Sequence, residues 1–188
     1  MKPIKKVLLV VLILPILLVV VSLFLPSRYR VERRVLCKGR PEVVFAQINT
    51  LKNWADWSAW TVKRFPDMVT TYAGPDSGPG ASMTWDGKSS GNGTLKIASS
   101  DPAAGITYDL AFEQGRYLSK GRIQLEAAAE SVTVVWVNEG ELGGNPVSRF
   151  FGLLMDKMMG PDMAAGLANL QKLAEAKPPA EPQATPSR

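Results

Sequence analysis

Between residues 68 and 139, apolar side chains recur at every second position, the period of a strand with one covered face. Six segments carry the pattern: VTTYAG, ASMTWDG, GTLKIASS, ITYDLAF, YLSKGRIQLEA and SVTVVWVNE. The connections 74–80, 89–93 and 101–105 are short and rich in Gly, Pro, Asp, Asn and Ser, which predicts antiparallel hairpins. Met83 and Trp85, Leu95 and Ile97, Tyr108, Leu110 and Phe112, Ile123 and Leu125, and Val132, Val134 and Trp136 share the inner face. Their sequence neighbours are mostly polar, so the other face is wet. A further strand is expected over residues 30–38, with Val31, Val35 and Cys37 on one side.

Elsewhere the period changes to that of a helix. Pro41-Glu42 opens a short helix with Val44, Phe45 and Ile48 as its apolar stripe. In LKNWADWSAW, residues 51–60, Trp54, Trp57 and Trp60 recur every three residues on a second short helix. Two readings stand: the indoles plug one end of a core, or they rim a cavity mouth. A long helix is expected over residues 145–173, started by an Asn145 cap with Pro146 in the first helical position. Phe151, Leu154, Met155 and Met158 fall on one side of it, with Arg149, Gly152 and Asp156 on the other. After Pro161 the apolar set becomes Met163, Leu167, Leu170 and Ala174 on a rotated face, which predicts a kink at Gly160-Pro161. The order of elements predicts an α+β domain in which the sheet wraps the C-terminal helix.

Ahead of that domain, residues 7–25 form an uninterrupted apolar run of 19, about 28 Å as a helix and long enough to span a bilayer. A cleaved leader would have a shorter apolar region and a small-x-small site, whereas Pro26-Ser27-Arg28-Tyr29-Arg30 follows here. The expected organisation is a membrane anchor at 1–27, a folded domain at 28–176 and a disordered, proline-rich tail at 177–188. The net charge of +5 comes from the anchor's flanks: Lys2, Lys5, Lys6, Arg28, Arg30, Arg33 and Arg34 stand against Glu32 alone. The remainder holds 15 basic and 16 acidic residues, which argues for a membrane surface as partner and against nucleic acid. Cations flank the span on both sides, so the positive-inside rule does not choose an orientation. The expectation adopted is a single-pass membrane protein with its domain outside the cytoplasm.

The order PEVVFAQINTLKNWADWSAW, the turn from Gly74 to Gly80, ASMTWDG and finally GLLMDKMMGPDMAAGLANLQKL resembles the SRPBCC superfamily, also called START-like or polyketide-cyclase-like. The resemblance runs from about Val31 to Ala174 and is to its membrane-anchored bacterial members. It implies a helix-grip fold: a curved seven-stranded antiparallel sheet around a long C-terminal helix, with two short helices after the first strand and a deep apolar cavity. That superfamily includes cyclases, lipid carriers and chaperone activators, so the fold does not choose among them.

Candidate chemistry narrows the choice. With no His in the chain, Ser-His-Asp and Cys-His arrangements and imidazole metal sites are excluded. Cys37 is alone and reads as a small buried hydrophobe. Asp86, Asp109, Glu113, Glu126, Lys120 and Arg122 fall on the wet phase of their strands, leaving Tyr108 as the inward phenol. No catalytic residue, metal ligand or cofactor is assigned. The Met155, Met158, Met159 and Met163 group is either core filler or a lining that adapts to a ligand. The expected cavity is formed by Trp57, Trp85, Tyr108, Leu110, Phe112, Trp136, Phe151, Leu154, Met155 and Met158. The function expected is membrane-tethered binding of a hydrophobic small molecule or lipid; the alternatives are a cyclase or dehydratase acting on a hydrophobic substrate, and a protein-interaction module.

Overall fold

The computed structural model describes residues 3–128, 131–143 and 145–176, with side chains from residue 11 onward, so the expected tail at 177–188 lies outside the described residues. Helix α1 (Pro3–Leu23) leads into strand β1 (Arg28–Cys37). Helix α2 (Pro41–Asn49), a single 3₁₀ turn (Leu51–Asn53) and helix α3 (Trp54–Trp57) follow. Six strands come next: β2 (Val69–Ala73), β3 (Ser82–Gly87), β4 (Gly91–Asp101), β5 (Gly105–Phe112), β6 (Tyr117–Ala128) and β7 (Ser131–Glu141). Helices α4 (Pro146–Gly152) and α5 (Met155–Glu175) complete the domain.

The strands form one antiparallel sheet in the order β1-β7-β6-β5-β4-β3-β2. Each strand lies beside its sequence neighbour except β1, which closes onto β7 and brings the two ends of the domain together. Alternation decides the inner face as expected, with Val31, Leu95, Ile97, Ile106, Tyr108, Ile123, Leu125, Val132, Val134 and Trp136 all buried. A register shift between Ile97 and Ser99 interrupts the β4–β5 ladder and helps the sheet to bend around α5. Met163, Leu167, Leu170 and Ala174 of α5 are buried against that concave face, the stripe expected for the second half of the C-terminal helix.

Cross-strand registers seat large rings over residues with no side chain. Tyr108 faces Gly121 and Trp85 faces Gly93, and a Cβ at either glycine would overlap the ring. An aromatic covering a bare backbone position shields its hydrogen bonds and holds the register.

The C-terminal helix requires a correction. Its break falls at Leu153-Leu154 rather than at Gly160-Pro161, and Pro161 sits inside a continuous α5. The amides of Leu153 and Leu154 donate to the Phe150 and Phe151 carbonyls, three residues back, so the chain tightens and leaves α4 before α5 begins. Once α5 starts at Met155, Pro161 forfeits only one internal bond. Arg33 of β1, bonded to Asp156 at 2.8 Å, holds the helix start against the sheet edge. As for the N-terminal span, no helix among the described residues is long and apolar enough to cross a membrane, the described side chains of α1 beginning at Val11.

The seating of Tyr108 on Gly121 has a direct consequence. Gly121→Ala should destabilise the domain by about 1–3 kcal/mol through overpacking against the ring. In urea titrations the penalty should shrink when Tyr108→Leu is combined with it, because the two sites share one space.

Candidate functional site

Inside the grip, the space nearest the middle of α5 is filled. Trp54 and Trp57, placed by the turn after α2, lie tilted against each other at 4.8 Å between ring centres, and each meets Trp136 edge-on at 6.0 and 5.4 Å. Trp54 also meets Tyr108 edge-on at 5.7 Å. Both indole N–H groups donate to carbonyls of α2, Trp54 to Ile48 at 2.9 Å and Trp57 to Gln47 at 3.3 Å. These two tryptophans therefore plug the core, while Trp60 lies beyond α3, partly exposed and tilted against Phe65.

Through this cluster runs a buried hydrogen-bond relay. Trp136 Nε1 donates to Tyr108 Oη at 2.7 Å, and Tyr108 donates to Asn138 Oδ1 at 3.0 Å. Asn138 Nδ2 then donates to Met163 Sδ of α5 at 3.8 Å. Burial pushes the Tyr108 phenol well above its usual range, so it stays protonated as the donor in this chain. Cys37 is likewise buried, its thiol pushed up to about 11 by burial and by the nearby Glu175 carboxylate.

Open space lies at the end of the sheet where β1 begins and β7 ends. A cleft of about 1150 Å³ wraps the rim there. On the inner side it is lined by Tyr29, Leu110, Tyr117, Ser119 and Gly140; on the outer side Arg30, Lys96, Asp109, Lys120 and Glu139 contribute, and Leu142, Asn145 and Ser148 lead into α4. The outer residues form one row across the sheet, Lys96 opposite Asp109, Asp109 opposite Lys120, Lys120 opposite Glu139 and Glu139 opposite Arg30. Charges thus alternate along that row, and Glu139 bonds Arg30 at 3.2 Å and Arg122 at 3.1 Å. On the inner side the Tyr29 ring covers Gly140, and burial raises its phenol pKa. Ser119 presents a buried hydroxyl beside that phenol with no partner of good geometry.

Of the ten residues expected to form the cavity, Leu110 alone lines this cleft. Trp57, Trp85, Tyr108 and Trp136 are buried in the core, and Phe112 and Met155 pack partly against it. Phe151, Leu154 and Met158 face solvent, which corrects their expected placement opposite the sheet. The reason is topological: the helix breaks at Leu153-Leu154, so α4 and the first turn of α5 do not continue the buried stripe of Met163, Leu167, Leu170 and Ala174. Asn138, Ser119 and Tyr29 were missed, although each sits at an inner position of the same alternation that marks Trp136, Gly121 and Val31. Polarity at an inward position was the available signal. Among the described residues no group of acids and Cys is arranged to hold a metal ion.

A family model described as "Polyketide cyclase / dehydrase and lipid transport" matches residues 28–175. The chain belongs to this family. No curated protein matches it. Among solved structures it is similar to the Aha1 dimer from Colwellia psychrerythraea, at 16% identity and a TM-score of 0.53, over 80% of this chain and 98% of that one. The di-domain ARO/CYC BexL from the BE-7585A biosynthetic pathway gives 15% identity and a TM-score of 0.56, over 81% of this chain and 52% of that one. StfQ, a di-domain ARO/CYC from the steffimycin biosynthetic pathway, gives 11% and 0.58, over 79% and 51%. At these identities the likeness is one of fold.

In this polyketide cyclase/dehydrase family member the relay should be structural. Tyr108→Phe strands the Trp136 donor and the Asn138 acceptor, and should cost about 1–3 kcal/mol at pH 7 in chemical denaturation. Folding favours the neutral phenol, so its contribution is intact below the ordinary tyrosine value of 10.0 and is lost as pH rises from there toward the raised folded value. The variant should therefore lose less stability than the parent above pH 10.

Proposed function

We propose that this chain is a membrane-tethered domain that binds a hydrophobic small molecule or lipid at the rim cleft. Family membership supports hydrophobic ligand binding or a cyclase-type function. The observation that carries the choice is the character of the cleft inside its charged outer row: Leu110, Tyr117 and Leu142 give it apolar surface, while the Tyr29 phenol and the unpartnered Ser119 hydroxyl give it polar handles. Such a lining suits an amphiphile with a long apolar body and one hydrogen-bonding group. The cyclase reading relied on Tyr108 as an inward acid, and that phenol is engaged by the relay, away from the cleft.

The tether is supported by α1. Its 21 residues give about 31 Å of helix, and the sequence from Val7 to Leu25 contains no charge. From Val11 to Leu23 the side chains are exposed apart from Ser22, so the domain leaves this apolar surface uncovered. Tethering holds the cleft beside a reservoir of apolar ligand at high effective concentration. The expected setting is the bacterial inner membrane, with the domain on the periplasmic side.

Two experiments test this reading. The full chain should remain in the membrane pellet after alkaline carbonate extraction and be digested by protease added to spheroplasts; release into the supernatant would rule out the tether. Native mass spectrometry of the gently purified protein should show a co-purifying lipophile near one-to-one. Leu110→Trp should displace it, as should the rim substitution Leu142→Glu, which leaves the core untouched. A ligand retained by both variants would place the binding elsewhere.

A further inference from the structure

Val147, Phe151, Leu154 and Met158 are spaced by 4, 3 and 4 residues and are 60%, 53%, 46% and 60% exposed. They make an exposed apolar set that spans the junction of α4 and α5 and is not packed on the sheet. This is the arrangement of a surface that meets another apolar phase. The structure also fixes where the stripe sits. Arg149, on α4 between the first two stripe residues, donates to the carbonyls of Ser22, Leu23 and Leu25 at 3.2, 3.3 and 3.4 Å. A guanidinium there adds donors to the carbonyls where α1 ends, of which that of Ser22 also accepts from the Leu25 amide, and complements the helix dipole. Arg149 thereby locks α4 to the level at which α1 ends, beside the fully projecting Phe24.

We infer that α4 and the first turn of α5 lie in the bilayer interface, with this stripe inserted among lipid chains beside the end of α1. The inference rests on the tether proposed above and adds a second, peripheral contact to it. A bilayer is the occupant because the stripe adjoins the end of the span, where the membrane surface is permanently at hand. The charges around it agree: the exposed Lys157 can meet phosphate headgroups, while Asp156 is already engaged by Arg33 at 2.8 Å. Because Ser148 of the same helix lines the cleft, α4 becomes the wall between cleft and lipid, and the cleft opens at the membrane surface.

Site-directed spin labelling of the full chain tests this in vesicles of phosphatidylcholine with a phosphatidylglycerol fraction. In a Cys37→Ser background, labels go singly at Leu14→Cys, Val147→Cys, Phe151→Cys and Lys63→Cys, and collision with oxygen and with a water-soluble nickel chelate is measured. The expected result is a deep label at 14, labels at 147 and 151 with nickel accessibility several-fold below that at 63, and an aqueous label at 63. A deep label at 14 with 147 and 151 as nickel-accessible as 63 overturns the inference and leaves the tether standing, the stripe then serving a protein or a second copy. An aqueous label at 14 overturns both.

Discussion

Everything in this fold is organised by the need to bury the concave face of a strongly bent sheet with a single helix. One hydrogen-bonded chain, from Trp136 through Tyr108 and Asn138 to Met163, crosses that interface. Inside a protein such bonds are costly to leave unmade, so each polar atom on the inner face constrains where its neighbours sit. Tyr108 accepts from the Trp136 indole and donates to Asn138, which fixes β5 against β7 across the intervening β6. Asn138 in turn reaches the helix. The relay thus ties sheet order and helix position together, and the aromatic cluster of Trp54 and Trp57 closes over it.

That arrangement explains why the domain is filled at its centre and open at one rim. Three of the five tryptophans, Trp54, Trp57 and Trp136, are taken up by the plug. Toward the beginning of β1 and the end of β7, the inner residues are Tyr29, Ser119 and Gly140, and the cleft opens there. It lies at the end from which α1 departs, so the entrance and the proposed anchor share one side of the molecule.

The helix α4 has a double character that follows from its place. Its Asn145 cap, whose side chain accepts from the Val147 amide at 2.9 Å, lets it start immediately after the sheet, and the 3₁₀ tightening at Leu153 and Leu154 ends it early. A helix this short cannot be stable by propensity alone and depends on its contacts. Arg149 supplies one by capping α1, and Ser148 borders the cleft. What remains outward is apolar, an unfavourable exposure in water that the bilayer interface would remove.

Much of this was legible in the chain alone. The two-residue period marked every strand of the sheet, the Pro41 and Asn145-Pro146 signals marked helix starts, and the Met163, Leu167, Leu170, Ala174 stripe named the face of α5 that is buried, because local alternation is set by backbone geometry and needs no knowledge of partners. The fates of Phe151, Leu154 and Met158 were not legible. Their helical spacing gives a correct apolar stripe, yet periodicity says only that a stripe exists and not what covers it. Which surface it meets depends on where the helix breaks and on how Arg149 and Arg33 hold α4 and α5, through contacts between residues more than a hundred positions apart. Asn138 and Ser119 show the same division. Strand alternation dictates that both point inward. That one finds Tyr108 and Met163, while the other is left unpartnered at the wall of a cleft, follows from how the strands and α5 come together, because satisfaction of a buried polar group is a property of the space around it.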